Sequence, residues 1–348
     1  MFKIQLNTIK INKKEIGISS PVFVIAEAGI NHNGSLVLAK KMVKIAKKAG
    51  VDCIKFQTHI TDKEMIKTKI LPGKISKKPL WDIIKNCELT ENEENKLSKY
   101  CKEEKILFLS TPFSISAVDR LEKINMPAYK IGSGELTNIP FLKHIAKTRK
   151  PVILSTGMSN MDEIKFSVNL FKKNKTQLAV LQTTSEYPCN YQDINLGVIE
   201  KFIKLFNIPV GISDHSLGIY TALGAVAKGA SIVEKHFTLD KNLPGPDQKL
   251  SLEPLELAEL VYGCRAVKKA MGNSKQILKD ELPVLKFARE SVVTQENIVK
   301  GDILNEENLT TKRPNTGQIP AKEFYKIIGK KAKYNIRKNT QLKYSDII

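Results

Sequence analysis

The chain has 348 residues, 42% of them hydrophobic, which suffices for one large domain and a smaller one. No apolar run approaches the roughly 20 residues that cross a bilayer, and the N-terminus lacks a signal-peptide core, so we expect a cytoplasmic protein without a membrane partner. The net charge of +20 comes from lysines spread along the whole chain, which argues against nucleic acid and suits an anionic small substrate. The five cysteines are widely spaced without a CxxC pair, which is typical of reduced thiols.

A repeated alternation of short apolar runs and helical segments follows an N-terminal hairpin predicted over residues 2–18. The apolar runs predict strands at 22–26, 52–56, 106–109, 128–131, 151–154, 178–181, 209–212 and 231–234. Among the helices, the first covers 36–49 and ends at Gly50, and the last covers about 254–271. Eight strand–helix units in about 250 residues predict an α/β fold, a (β/α)8 TIM barrel. The missing GxGxxG after the first strand argues against a dinucleotide fold.

Two further stretches interrupt or follow this alternation. A lysine-rich insertion at about 60–88 is predicted to be a loop over the active rim, and Thr90 is predicted to cap the next helix, which runs to Glu104. The predicted domains are a catalytic barrel with its hairpin at 1–271, a linker at 272–286, and a small β-rich module at 287–348 with one short helix around 321–328.

Two histidines, His215 and His236, directly follow two consecutive predicted strands. In a parallel barrel both strand ends point to the rim where active sites lie. With Asp214 and Glu234 close by, the pattern predicts an open-sided metal site, although two unrelated polar residues at strand ends would give the same pattern.

Polar residues at the other strand ends predict an anion site at the same rim. Two lysines are expected to point inward, and hydroxyls and glycine-rich turns surround them, as in cradles for phosphate or carboxylate. The residues concerned are Lys55, Lys130, Thr111, Ser133, Ser155 and Ser213. Glu27 and Glu135 could perform acid–base work there. Each residue alone could be a cap or an edge residue, but together they suit a phosphorylated anion that meets a carbonyl.

The remaining histidines carry weaker expectations. His144 lies on a predicted helix and is expected to be structural. His32, in the loop after the first strand, is expected to support the site rather than to bind a metal. For His59, at the start of the insertion, a role in the site and a structural role both stay open.

Nine motifs in register connect the chain to a known family. The segments AEAGINHNG, IKFQTH, STPFS, YKIGSGE, STGM, TTSEYP, GISDHS, EKHFTLDKNLPGPDQKLS and KRPNTG resemble the nonulosonate synthases, that is, sialic acid synthase and its relatives. The resemblance covers nearly the whole chain, because the C-terminal module resembles the antifreeze-like (SAF) domain. It implies a barrel that condenses phosphoenolpyruvate with an N-acetylated mannose-type sugar, and a domain-swapped homodimer in which each SAF module covers the partner's barrel.

The resemblance also implies roles for individual residues. His215 and His236 would hold a divalent ion, manganese first, with magnesium or cobalt as alternatives. Phosphoenolpyruvate would contact Lys55, Thr111, Lys130, Ser133, Ser155, Ser213 and Ser185, the last standing where some relatives have asparagine. The sugar would contact Gln57, Glu135, Tyr187, Asp247 and, from the partner chain, Arg313. Glu27 is the candidate for deprotonating the attacking water, and Glu135 for protonating or binding the sugar oxygen.

The choice of sugar is the open question at this stage. The AEAGINHNG loop differs from the Ser-Ala-Asn-His loop of pseudaminic enzymes, whereas LPGKIS and GSGE favour N-acetylmannosamine. We therefore expect an N-acetylneuraminate synthase that supplies a capsule or other surface polysaccharide. Legionaminic acid synthase, acting on 2,4-diacetamido-2,4,6-trideoxymannose, is the alternative. A non-catalytic carbohydrate- or ice-binding protein is a third possibility, against which the full set of histidines, lysines and glutamates argues.

Overall fold

A computed structural model of the protein describes residues 8–71 and 78–348. The chain divides into two compact units, and the division falls between Gly272 and Asn273. Within these residues, no helix combines the length and the hydrophobicity that crossing a membrane requires. All five cysteines lie in the described ranges, and each is buried and unbridged.

The first unit begins with a hairpin and continues into a barrel sheet. The hairpin pairs β1 (Ile9–Ile11) with β2 (Lys14–Ile16), and its isoleucines join the main hydrophobic core. Residues 2–7 of the predicted hairpin lie outside the described residues. The barrel strands are β3 (Phe23–Gly29), β4 (Cys53–Thr58), β5 (Leu107–Pro112), β6 (Tyr129–Ile131), β7 (Val152–Ser155), β8 (Leu178–Thr183), β9 (Val210–Asp214) and β10 (Ile232–His236).

These eight strands are parallel and form one sheet in the order β5-β4-β3-β10-β9-β8-β7-β6. The two outermost strands of that order, β5 and β6, lie next to each other, so the barrel is nearly closed. The predicted (β/α)8 fold is confirmed. The helices of this unit are α1 (Leu36–Ala49), α2 (Thr61–Glu64), α3 (Leu80–Cys87), α4 (Glu91–Glu103), α5 (Ile115–Lys123), α6 (Ile139–Lys147), α7 (Met161–Lys173), α8 (Gly197–Phe206), α9 (Tyr220–Ala227) and α10 (Pro254–Ala270).

Local sequence signals set several helix ends as predicted. Gly50 ends α1 in the left-handed conformation, at φ 81°, where a residue without a Cβ is favoured. Thr90 caps α4 through a capping box with Glu93, so two amides at the start of the helix are satisfied within four residues.

Most strands extend further than their apolar runs predicted. Except for β6, each strand continues past its predicted end, and β10 includes His236 as its last residue. The prediction stopped at the last apolar side chain, whereas backbone pairing continues through polar residues that point into the barrel. Glu27, Gln57 and Ser213, beyond the predicted strand ends, are therefore strand residues, which fixes their backbones on both sides.

The insertion at 60–88, predicted as a loop, contains the helices α2 and α3. The prediction missed both helices because the lysine-rich composition of the stretch is typical of a loop; Lys63 of α2 and Lys85 of α3 are exposed. Ile84 and Cys87 of α3 are buried against Ile30, which follows β3. Residues 72–77 of this stretch lie outside the described residues.

The second unit is small and has its own core. It contains α11 (Leu282–Ala288), an antiparallel pair formed by β11 (Ser291–Thr294) and β12 (Leu309–Lys312), and the short helix α12 (Phe324–Ile327). Val292, Leu304 and Ile319 are among the fully buried residues of its core. The stretch predicted as a linker at 272–286 contains a 3-10 turn at Lys279–Glu281 and most of α11.

Gly211 brings β9 and β10 close together. A Cβ at this position would lie 2.4 Å from the carbonyl oxygen of Ile232 and 2.7 Å from a methyl carbon of Leu181. Only glycine fits between these neighbours without moving the backbone. The close approach holds Ser213 and His215, farther along the same stretch, beside the end of β10.

Candidate active site

A cavity of about 350 Å³ lies at the carboxyl ends of the barrel strands. Its wall consists of Glu27, Lys55, Gln57, Thr111, Phe113, Lys130, Gly132, Ser133, Gly134, Glu135, Ser155, Met158, Thr183, Ser185, Tyr187, Ser213, His215, Glu234 and His236. Every site residue predicted within the barrel belongs to this wall except Asp247. Residues from eight separate strand ends thus meet in one concave site, the arrangement in which barrel enzymes place their chemistry.

Four buried charges form the floor of the cavity. Lys55 ion-pairs closely with Glu27, and its ammonium lies 3.8 Å from Glu234. The ammonium of Lys130 lies 3.6 Å from the other carboxylate oxygen of Glu234. Because none of the four side chains is more than 5% exposed, their charges are balanced by each other rather than by water.

Burial and mutual attraction shift these groups in different directions. Burial raises the pKa of Glu27 to about 7, although Lys55 opposes the shift. Burial by itself would also raise the pKa of Glu234, but Lys130 and Lys55 together hold that pKa below its ordinary value. Burial also lowers the pKa of Lys130, whereas Glu234 and Glu27 outweigh burial at Lys55 and raise its pKa. Glu27 is therefore the carboxyl group of the floor that can exchange a proton near neutral pH.

Hydroxyl groups line the cavity beside the lysines. Lys55 donates to the hydroxyl of Thr111 at 2.9 Å, and Lys130 donates to that of Ser155 at 2.7 Å. The amide of Gly157 donates to the hydroxyl of Ser133 at 3.0 Å. A Cβ on Gly157 would come within 2.2 Å of the Ser185 hydroxyl, so glycine keeps this side open. Ammonium, amide and hydroxyl donors facing one cavity suit a phosphate or a carboxylate.

The two histidines stand side by side, with ring centroids 5.5 Å apart. Burial lowers the pKa of His215 to about 4 and that of His236 well below its usual value, so both imidazoles are neutral at pH 7. The Nδ1 of His215 donates to the carbonyl oxygen of Thr184 at 2.7 Å, which leaves Nε2 as the electron-pair donor. His236 Nδ1 is buried and has no hydrogen-bond partner among the described residues.

These features fit a divalent ion bound by His215 and His236. Neutral imidazoles are the form that binds metals, and a backbone carbonyl on the second ring nitrogen is a common support for such a ligand. Within residues 8–71 and 78–348, no group of three or more histidine, cysteine or carboxylate side chains is arranged to hold a metal. A metal at this pair would therefore keep most of its coordination positions for other ligands.

Of the sugar-binding residues predicted within the barrel, Gln57, Glu135 and Tyr187 lie in the cavity wall, whereas Asp247 does not. The Tyr187 ring stacks on His215 at 4.2 Å, and Gln57 donates to Glu27 at 3.3 Å. Burial raises the pKa of Glu135 to about 7, and one of its buried oxygens has no hydrogen-bond partner among the described residues. Asp247 lies behind the wall, 3.9 Å from His236 Nδ1, with its pKa raised to about 6 by burial.

Arg313 is exposed in the second unit. The structure places it on the strand-to-turn segment that follows β12, next to a cis peptide bond with Pro314. Its contact with the sugar stays a prediction.

The other three histidines lie outside the cavity wall, each in a different environment. His144 is on α6 and pairs with Asp119 at 2.7 Å, away from the cavity wall. His32 is buried, and its Nδ1 accepts the amide of Gly34 at 3.2 Å, so it supports the loop after β3. His59 contacts Gln57 from outside the wall at 3.0 Å.

Glu234 is the main residue that the sequence analysis missed. The sequence places Glu234, like Asp214, next to the histidines without a role of its own, but the structure places it in the cavity floor between both lysines. Side chains alternate along a strand, so Glu234 must share the inner face of β10 with His236, two residues later. That period was available in the sequence and identifies Glu234 as an inward residue.

The same alternation sends Asp214 and Lys235 to the outer face of the barrel, where they pair at 3.1 Å. Both are almost completely buried, at 1% exposure each. Asp214 also accepts hydrogen bonds from the Ser216 amide and the Thr221 hydroxyl. The pair joins the residue before His215 to the residue before His236, so it fixes the spacing of the two strands that carry the histidines.

Replacement of Lys235 by methionine is expected to destabilise the barrel by about 3–5 kcal/mol, because Asp214 would be left as an unpaired buried charge. Urea unfolding of the full chain measures the change. The control is Lys228→Met, which breaks the exposed pair with Glu200 at 3.3 Å and should cost less than about 1 kcal/mol. Equal losses in the two variants would contradict the role given to the buried pair.

Both units of the chain are similar to known proteins. Residues 42–276 match the NeuB family, and residues 289–348 match the SAF domain. The chain is 42% identical to the N,N'-diacetyllegionaminic acid synthase of Campylobacter jejuni, over 91% of this chain and 97% of that protein. It is 37% identical to the human N-acetylneuraminate-9-phosphate synthase, over 91% and 90% of the two chains.

A solved structure gives the same result. The N-acetylneuraminic acid (sialic acid) synthetase of Leptospira borgpetersenii superimposes with a TM-score of 0.74 and 36% identity, over 80% of this chain and 95% of that one. The chain therefore belongs to the NeuB family of sialic-acid-type (nonulosonate) synthases, phosphoenolpyruvate-dependent condensing enzymes, and it ends in a SAF domain.

Proposed function

We propose that this enzyme joins phosphoenolpyruvate to the open-chain aldehyde of an N-acetylated mannose-type sugar, giving a nine-carbon 2-keto-3-deoxy acid and phosphate. The observation that carries the proposal is the cavity floor, where two buried lysines and several hydroxyls face the same space as two neutral imidazoles. An anion with two acidic groups can accept hydrogen bonds from the lysines and the hydroxyls. A carbonyl can lie on the imidazole side, within reach of Glu135.

The phosphate and the carboxylate of phosphoenolpyruvate are assigned to two groups of donors. Lys130 with Ser155 and Lys55 with Thr111 provide charged and neutral donors on adjacent strands. Ser133, Ser185 and the glycines between them extend this side of the cavity. Since donors to anions are strongest where water is excluded, burial makes each of these contacts more effective than it would be at the surface.

The proposed reaction balances as follows. Carbon 3 of phosphoenolpyruvate attacks the aldehyde carbon, and the aldehyde oxygen takes a proton from Glu135. Water adds to carbon 2 and gives a proton to Glu27. The bond between carbon 2 and the phosphate oxygen then breaks, the carbon 2 hydroxyl gives its proton to the departing phosphate, and carbon 2 becomes the ketone. Both carboxyl groups have pKa values raised to about 7, so each can act in either direction near neutral pH.

We also propose that His215 and His236 bind a divalent ion, with manganese preferred and magnesium or cobalt as alternatives. When bound, such an ion supplies Lewis acidity to a carbonyl oxygen. A site with only two protein ligands, both nitrogen donors, keeps open coordination positions. Such a site favours a readily exchanged ion over the zinc of a closed structural site.

The acceptor sugar is proposed from the relatives and the sequence together. The match to a legionaminic acid synthase at 42% identity is higher than the match to the human sialic acid 9-phosphate synthase at 37%. This difference favours 2,4-diacetamido-2,4,6-trideoxymannose, whereas LPGKIS and GSGE favour N-acetylmannosamine. We place the diacetamido sugar first and N-acetylmannosamine second.

The second unit is assigned to the sugar side of the site by resemblance to the family. We propose a domain-swapped homodimer in which Arg313 of each SAF domain reaches the N-acetyl group in the partner's barrel. An Arg313→Ala variant with an unchanged KM for the sugar would contradict this assignment.

Phosphate release provides the test of the proposed function. With phosphoenolpyruvate and manganese present, the purified full chain is expected to release phosphate only when an amino sugar is added. The diacetamido sugar is expected to give the higher kcat/KM of the two candidates. A higher value for N-acetylmannosamine would reverse the order of the sugars. No release with either sugar would contradict the enzyme proposal and favour a carbohydrate-binding role.

A His236→Ala variant tests the metal proposal. It is expected to bind manganese at least about tenfold more weakly, because one of two protein ligands is lost, and to lose metal-dependent turnover. Calorimetric titration with manganese and phosphate release are the two measurements. His144→Ala is the control, since His144 is a histidine outside the cavity. Manganese affinity equal to that of the unmodified chain would exclude His236 as a ligand.

A further inference from the structure

A chain of hydrogen bonds leads out of the cavity from the catalytic carboxylate. Gln57 donates to Glu27 at 3.3 Å, and the amide oxygen of Gln57 lies 3.0 Å from His59 Nε2. His59 Nδ1 lies 2.8 Å from Glu64, the last residue of α2. Gln57 belongs to the cavity wall, whereas His59 and Glu64 lie behind it. The chain thus connects a wall residue with two side chains to which neither the proposed reaction nor the family motifs assign a role.

The imidazole of His59 is fixed in three ways. Its ring stacks on Phe113, a wall residue, with centroids 4.4 Å apart and planes 14° from parallel. Each ring nitrogen has a polar partner, and the side chains of His59 and Glu64 are only 4% and 3% exposed. Water therefore cannot replace either contact easily, and the ring has one position rather than several.

The partners also determine which way the amide of Gln57 faces. Glu27 is paired with Lys55, so its carboxylate accepts and the amino group of Gln57 must face it. The amide oxygen then faces His59, and Nε2 must carry a hydrogen to donate to it.

Glu64 acts on a second residue of the sugar side. Its charge is, after burial, the largest cause of the raised pKa of Glu135. Its other carboxylate oxygen is buried and has no hydrogen-bond partner among the described residues. The carboxylate of Glu64 therefore acts on two residues that are assigned to the sugar. It acts on Gln57 through the hydrogen bonds of His59, and on Glu135 through its charge.

We propose that Glu64 and His59 form a positioning pair for the acceptor sugar: they hold the amide of Gln57 in one orientation, with its amino group toward Glu27 and its oxygen toward the imidazole. The inference rests on the proposed function, which gives Gln57 its contact with the sugar. Lys130 donates to Ser155 and Lys55 donates to Thr111. Neither lysine hydrogen-bonds to Gln57, His59 or Glu64, and Lys55 contacts this hydrogen-bond chain only at Glu27. The pair should therefore affect the sugar and leave phosphoenolpyruvate unaffected.

The test compares two substitutions of His59. In His59→Phe the ring stack on Phe113 is kept, but both hydrogen bonds are lost. The KM for the sugar is expected to rise about 3- to 10-fold, which corresponds to one lost hydrogen bond of ordinary strength. The KM for phosphoenolpyruvate should stay within about twofold. His59→Gln can place an amino group where Nε2 was, and it is expected to recover most of the sugar KM.

The control is His144→Phe, which breaks another histidine–carboxylate pair, that with Asp119. It should leave both KM values unchanged. A second variant, Glu64→Gln, keeps the size of the side chain if His59→Phe does not fold, and a rise in the sugar KM alone is again expected. An unchanged sugar KM in folded His59→Phe or folded Glu64→Gln would overturn the proposal, as would an equal rise in the KM of both substrates.

A structural measurement separates this inference from the proposed function. If the unmodified chain releases no phosphate with either sugar, the proposed function fails. Crystal structures of the unmodified chain and of His59→Phe then decide the positioning role alone. An amide of Gln57 that leaves Glu27 in the variant supports the role. An amide that keeps the same orientation and contacts overturns it.

Discussion

The four charges at the floor of the barrel are the constraint on which the site depends. Removing a carboxylate or an ammonium from water costs several kcal/mol even inside a real protein, unless opposite charges and hydrogen bonds compensate. Here Glu27 and Glu234 compensate the charges of Lys55 and Lys130. In the proposed reaction, the phosphate and the carboxylate of phosphoenolpyruvate would have to compete with these two carboxylates for the lysines. Under the proposed function, substrate binding would therefore be coupled to the protonation state of Glu27, whose pKa is raised to about 7 by burial.

The two-residue period of the strands separates chemistry from stability. On β10, Glu234 and His236 face the cavity, while Lys235 between them pairs with Asp214 outside it. The pair of Asp214 and Lys235 fixes the distance between β9 and β10, and this distance determines how far apart the two histidines stand. A third set of contacts, from Glu64 and His59, supports the wall from the side of α2. The insertion that looked like a loop in the sequence thus contributes a positioned carboxylate.

Much of the fold follows from local patterns. The strand–helix alternation gives the barrel, Gly50 ends α1, and Thr90 starts α4, because each signal acts within a few residues. The lysines and hydroxyls at the strand ends were also found, since all parallel strand ends meet at one rim.

Other features depend on contacts between distant parts of the chain. Glu234 joins Lys55 and Lys130 across more than 100 residues, and no local pattern states that the three meet. Asp247 lies behind His236 because of the path of the loop after β10. The role of His59 stayed open in the sequence because its partner Glu64 lies on a helix that the lysine-rich composition concealed.

Binding of phosphoenolpyruvate alone tests the central claim most directly, because it requires neither the sugar nor turnover. Calorimetric titration should show binding to the unmodified full chain and at least about a hundredfold weaker binding to Lys130→Met, since a buried charged contact is removed. Lys201→Met, at an exposed position on α8, should bind as the unmodified chain does. Equal affinity in Lys130→Met and the unmodified chain, with both folded, would contradict the assignment of the buried lysines to the substrate.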